Sequence, residues 1–163
     1  MHKKTPRRCF FVYSIYMIEK KISNLNQLEA LAKECVSSMK KAPTAQLLFL
    51  KGDLGSGKTA FAKKIAHVLG IQETVTSPTF VVMKEYQETN HSWIQRLVHI
   101  DAYRLNNKSE LEYLKWDSYL RDPHTLILVE WPEMVEGVDQ GSAARTLSFQ
   151  LSENQKERAI QIT

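Results

Sequence analysis

Eight consecutive residues carry the clearest chemistry: Gly52-Asp53-Leu54-Gly55-Ser56-Gly57-Lys58-Thr59. They fit G-x-x-x-x-G-K-[ST], the pattern of a phosphate-binding P-loop. Gly52, Gly55 and Gly57 let the backbone curl through unusual dihedrals and approach an anion closely. The N–H groups of such a loop, and the start of the helix behind it, then face that anion. Lys58 brings a positive charge to the β- and γ-phosphates of a nucleotide. The Thr59 hydroxyl can ligate the magnesium ion that bridges them.

A P-loop also needs an acid at the end of a neighbouring strand, to hold the metal or its water shell. Two stretches offer one. Leu97-Val98-His99-Ile100-Asp101 and Leu126-Ile127-Leu128-Val129-Glu130 each place an acid after apolar residues. Glu130 ends the more apolar run and is assigned to the magnesium. Asp101 is then the group that orients or deprotonates the attacking water. The reverse assignment stays open. His99 falls on the Asp101 face of its strand and reads as a packed or hydrogen-bonded residue. Ser77-Pro78-Thr79-Phe80 stands where a nucleotide-sensing loop would lie. Pro78 stiffens it, and its two hydroxyls could reach a phosphate or metal. Trp131, after Glu130, is either core or a partner contact at the site edge.

These groups need particular elements to position them. Residues 46–50 form an apolar run of strand length before the loop. After it, Phe61, Ile65, Val68 and Leu69 share a helical face, and Gly70 ends the helix. Upstream, residues 18–22 predict a short strand. Asn24 caps a helix with Gln27 as its reciprocal partner, and Leu25, Leu28, Leu31, Ala32, Cys35, Val36 and Met39 form its apolar stripe. Residues 81–86 and 93–100 predict a hairpin around Asn90-His91-Ser92. Ser109 caps a further helix. Residues 125–129 read as a buried strand, and residues 145–152 and 158–163 as a C-terminal antiparallel hairpin. The fold class expected is α/β: one P-loop NTPase-like domain with a mixed, mostly parallel sheet flanked by helices.

The chain has 163 residues, enough for one domain with a real core. No apolar run is long enough to span a membrane. Two cysteines, Cys9 and Cys35, form no C-x-x-C pair, which fits a reducing cytoplasm and argues against a disulfide framework or zinc site. Lys3, Lys4, Arg7 and Arg8, with no acid among residues 1–16, account for all of the formal net charge of +4. The remainder is neutral, and its charge lends no support to strong nonspecific nucleic-acid binding. Residues 1–17 therefore read as a leader, disordered or the product of a start placed too early, with Met17 as the working start and the domain at 18–163.

Four segments taken together resemble one family. Gly-Asp-Leu-Gly-Ser-Gly-Lys-Thr at 52–59, Ser-Pro-Thr-Phe at 77–80, His-Ile-Asp-Ala-Tyr-Arg-Leu at 99–105 and Glu-Trp-Pro-Glu at 130–133 are similar, in order and spacing, to the bacterial TsaE family, once called YjeE. The resemblance covers residues 18–163. It implies a small cytoplasmic ATPase that supports the TsaD–TsaB complex, with threonylcarbamoyl-adenylate made by TsaC. The product is threonylcarbamoyladenosine at position 37 of tRNAs reading codons that begin with A, so tRNA is met through the complex. It further implies that the loop from Gly52 to Thr59 binds ATP, that Thr59 and Glu130 hold Mg2+, and that Asp101 serves hydrolysis. Thr79 belongs to a switch-like loop, and Trp131 matches a tryptophan beside the metal acid. Ser56 stands where family members often carry alanine.

A rival reading is a P-loop kinase of a small nucleoside or metabolite. Such enzymes need an arginine-bearing lid, and the stretch from Asp101 to Asp122 is short, with Arg104 and Arg121 alone. A third is a nucleotide-gated binding module that hydrolysis merely resets.

Overall fold

The computed structural model describes residues 18–163 apart from 106, 137, 139–143 and 154–156. The leader reading of residues 1–17 lies outside the described residues. Among these, seven strands form one sheet: β1 (Ile18–Ile22), β2 (Gln46–Gly52), β3 (Met83–Tyr86), β4 (Arg96–Asp101), β5 (Thr125–Glu130), β6 (Ala144–Leu151) and β7 (Arg158–Ile162). Their order across the sheet is β1-β7-β6-β2-β5-β4-β3. The four central strands, β6, β2, β5 and β4, run parallel. The edge pairings β6–β7, β7–β1 and β4–β3 are antiparallel. This is the mixed α/β sheet expected from the sequence, with the C-terminal hairpin in place.

Parallel strands covered on both faces must be apolar on both, and β2 and β5 are. Leu48, Leu50, Leu126 and Leu128 face a core that includes Leu28, Phe61 and Ile65. Leu47, Phe49, Ile127 and Val129 face the opposite core, with Leu111, Trp116 and Val135. The first layer is built by α1 (Leu25–Ser37) and α2 (Lys58–Val68), the second by α3 (Lys108–Tyr113), α4 (Trp116–Leu120) and the adjoining loops. Cys35 is buried in the first core, as a small apolar residue would be.

The α1 cap forms as expected on one side and shifts on the other. Asn24 Oδ1 accepts from the Gln27 N–H at 3.0 Å. The Gln27 side chain reaches back one residue further than a capping box requires, accepting from the Ser23 N–H at 2.8 Å. Leu25 does not join the apolar stripe, because it sits in the first turn before the helix settles on the sheet. It is 61% exposed, against 3% for Leu28.

Three boundaries differ from expectation. β3 begins at Met83, not Val81, because the Pro78 carbonyl accepts the N–H groups of both Val81 and Val82 and holds Val82 at φ 65°. β4 begins at Arg96, not Trp93, because the His124 carbonyl accepts from the N–H groups of Gln95 and Arg96. α3 is capped by Asn107, whose side chain accepts from the Glu110 N–H, and Ser109 lies inside the helix.

Leu28 and Leu25 should separate in an unfolding experiment. Leu28→Ala is expected to cost about 2–5 kcal/mol, as truncation of a core leucine does. Leu25→Ala should stay within about 0.5 kcal/mol of wild type. Denaturant unfolding of both variants checks this.

Candidate active site

β2 delivers its loop to the C-terminal end of the sheet, beside the ends of β5 and β4. In an open α/β sheet this is where ligands bind. Gly52, Gly55 and Gly57 all have positive φ, at 132°, 79° and 110°. Gly57 is the N-cap of α2, and no side chain caps that end. The first N–H groups of a helix have no intrahelical partner, so this end is open to an anion. At Gly52 a Cβ would collide with the Phe149 carbonyl oxygen of β6. At Gly55 it would meet nothing within 4 Å.

Lys58 is buried and folded back over its own loop. Its Nζ donates to the carbonyls of Gly52 at 2.6 Å and Asp53 at 2.9 Å. It also lies 3.8 Å from the centroid of the Trp131 ring, a cation–π contact. Burial pushes the Lys58 pKa down. The charges of Glu130, Glu133, Asp101 and Asp53 oppose that shift without overcoming it.

The two acids stand side by side. Asp101 and Glu130 are register partners on adjacent parallel strands, and both are buried. Each is held by hydroxyls or N–H groups. Glu130 Oε2 accepts from Thr59 Oγ1 at 3.0 Å. Glu130 Oε1 lies 2.8 Å from His99 Nε2. Asp101 Oδ2 accepts from Thr79 Oγ1 at 2.6 Å, and Oδ1 accepts from the Tyr103 N–H at 3.1 Å. Ser77 Oγ and Thr79 Oγ1 share a hydrogen bond of 2.6 Å. Two buried carboxylates with a hydroxyl beside each form one set of oxygen donors. Hard oxygen donors of this kind suit magnesium.

Of the residues singled out from the sequence, Leu54, Gly55, Gly57, Lys58, Thr59, Ser77, Thr79, Asp101, Glu130 and Trp131 line one cavity of about 360 Å³, a size ordinary for a small-molecule site. Gly52, Asp53 and Ser56 shape the loop without lining that cavity. The Ser56 hydroxyl is buried and has no hydrogen-bond partner among the described residues, so a small side chain is all this position uses. Pro78 is buried. Phe80 does not line the cavity and is 86% exposed, with the Arg104 guanidinium carbon 5.1 Å from its ring centroid.

Trp131 is neither plain core nor simply exposed. Its backbone is left-handed, φ 57° and ψ 46°. Its ring is tilted on Tyr103 with centroids 5.2 Å apart. Arg158, at the start of β7, is a site residue that sequence reasoning missed. Its Nε donates to the Ser56 carbonyl at 2.9 Å, and it lines the same cavity. Nothing local marks it out among the charged residues of the C-terminal hairpin.

Comparison with known proteins identifies the family. Residues 22–160 match the family model described as threonylcarbamoyl adenosine biosynthesis protein TsaE. The chain belongs to the TsaE family. A Bacillus subtilis protein named tRNA threonylcarbamoyladenosine biosynthesis protein TsaE is 38% identical over 69% of this chain and 65% of its own length. A Synechocystis protein of the same name is 39% identical over 56% of this chain and 57% of its own. One from Borreliella burgdorferi is 33% identical over 67% of this chain and 76% of its own. The matched part thus spans less than two thirds of the first two relatives. A crystal structure of Bacillus subtilis YdiB superposes with a TM-score of 0.65 at 27% identity, covering 90% of this chain and 84% of that one. All four TsaE segments read from the sequence lie within the matched residues. Among the described residues no helix is long and apolar enough to cross a membrane.

The loop glycines should differ in tolerance. Gly52→Ala forces backbone against backbone, so a clear drop in melting temperature and loss of binding to a fluorescent ATP analogue are expected. Gly55→Ala meets open space and should cost about 1–2 kcal/mol, the left-handed penalty, with binding weakened less. A Gly52→Ala protein that melts like wild type would mean the close approach of loop and β6 is not formed.

Proposed function

We propose that this protein binds and hydrolyses Mg-ATP in support of a TsaD–TsaB complex, in the formation of threonylcarbamoyladenosine at position 37 of tRNA. On this reading it works in the cytoplasm and meets tRNA through the complex. One observation carries the nucleotide reading: an uncapped helix N-terminus, Lys58, Thr59 and two buried acids converge on a single cavity. Family membership and the names of the relatives support the pathway.

The residues divide the work. The loop amides and the start of α2 bind the phosphates, and Lys58 leaves its carbonyl partners to meet them. Thr59 and Glu130 would hold magnesium, which supplies charge neutralisation at the β- and γ-phosphate oxygens. Asp101 is held on both oxygens, so its orientation is fixed in advance for positioning a water or accepting its proton. Thr79 couples the 77–80 loop to Asp101, so a change in that loop is felt at the water-positioning group.

The kinase alternative gains nothing from the fold. Arg104 lies over Phe80, and Arg121 Nε donates to the Asp117 carbonyl at the end of α4. ATP hydrolysis measured with and without TsaD–TsaB, beside tRNA modification, tests the reading. A phosphorylated small acceptor, or unaltered tRNA modification when the protein is omitted, would overturn it.

The two acids should give different phenotypes. Glu130→Gln keeps the shape and removes charge, so the magnesium concentration needed for activity should rise. Asp101→Asn should leave Mg-ATP binding nearly intact and lower turnover by on the order of a hundredfold or more. Calorimetric titration beside single-turnover hydrolysis separates them. Loss of metal binding in Asp101→Asn alone would reverse the assignment.

A further inference from the structure

His99 lies on β4, two residues before Asp101 and on the same strand face. It is 0% exposed. Its Nε2 is 2.8 Å from Glu130 Oε1. An ionised carboxylate only accepts, so Nε2 is the donor. Nδ1 has no hydrogen-bond partner among the described residues.

Packing alone does not account for an imidazole here. Burying a polar ring with one unpartnered nitrogen costs free energy that an apolar side chain of similar size would avoid. What an apolar residue could not do is hold Glu130. That carboxylate sits beside Asp101 on the neighbouring strand, and like charges at this separation push apart. Thr59 restrains Oε2 alone, and its hydroxyl is also the group that meets a metal.

We propose that His99 is a positioning residue for the metal-binding carboxylate. Its Nε2–H holds Oε1 of Glu130, fixing the side chain so that Oε2 is presented beside Thr59 for magnesium. This rests on the nucleotide reading above. Hydrogen-bonded supports of metal ligands commonly carry a tenfold to hundredfold share of metal affinity.

The test compares His99→Gln with His99→Met. The two side chains are close in length and shape, but the Gln amide can donate where Nε2 did. Manganese binding to the protein–ADP complex, followed by electron paramagnetic resonance, reads metal affinity without turnover. Nucleotide affinity in EDTA and melting temperature are read alongside. His99→Met is expected to weaken manganese binding about tenfold to a hundredfold while nucleotide affinity in EDTA holds. His99→Gln should restore most of the loss. Equal manganese affinity in a folded His99→Met protein overturns the proposal, as does a His99→Gln protein no better than His99→Met. If His99→Met does not fold, His99→Gln decides alone: near-normal metal affinity supports the proposal, and a hundredfold loss overturns it. A wild-type protein that binds no nucleotide would bring down the reading of the site itself. A normal wild type with unmoved variants brings down the His99 assignment alone.

Discussion

The adjacency of Asp101 and Glu130 is the constraint on which the site depends. Two carboxylates occupy neighbouring positions at the ends of parallel strands, nearly closed off from solvent. Water would screen their repulsion, and burial removes most of that screening. The structure answers with donors on every side: Thr59 and His99 on one acid, Thr79 and the Tyr103 amide on the other. Lys58 supplies the nearby positive charge. These groups come from the start of α2, the 77–80 loop, β4 and the turn after it, so the sheet order and the loop paths serve one electrostatic problem. Parallel pairing of β2, β5 and β4 brings all the strand ends to the same side.

Trp131 shows that the local backbone yields to this arrangement. A left-handed tryptophan is strained, and such strain persists where surroundings over-determine it. Here the Trp131 N–H donates to the Leu50 carbonyl, Pro132 follows directly, and the ring is gripped between Lys58 and Tyr103. The same turn that ends β5 thus places an aromatic face against the Lys58 ammonium.

Much of this was legible in the sequence because it is local. The P-loop, the apolar runs before Asp101 and Glu130, the cap at Asn24 and the C-terminal hairpin are all written in short windows. The hydroxyls of Ser77 and Thr79 could be nominated, although the reach of Thr79 to Asp101 could not be measured. What escaped depends on contacts between distant segments. Val81 and Val82 have strand propensity, yet the Pro78 carbonyl captures their N–H groups. Asn107 outcompetes Ser109 as a cap within a window that suited both. α4 is too short to leave a periodic signal, and its start at left-handed Lys115 has no glycine to announce it. Leu25 keeps the helical spacing of its stripe but enters the helix before the sheet can cover it. Arg158 is the clearest case, since its partner lies 102 residues away.

The edge of the sheet opposite β3 is built from strands far apart in sequence. Among the described residues β1 pairs with β7 alone, with Ile18 opposite Ile162. Closing so wide a separation costs less loop entropy once intervening strands have drawn the ends together. During synthesis the chain emerges with its P-loop sequence complete and the β6–β7 hairpin still absent. Because Arg158 of that hairpin donates to the Ser56 carbonyl, the loop takes one of its supports from a strand 102 residues further along the chain. A nascent chain cut off before β7 would carry the whole motif and lack this part of its scaffold.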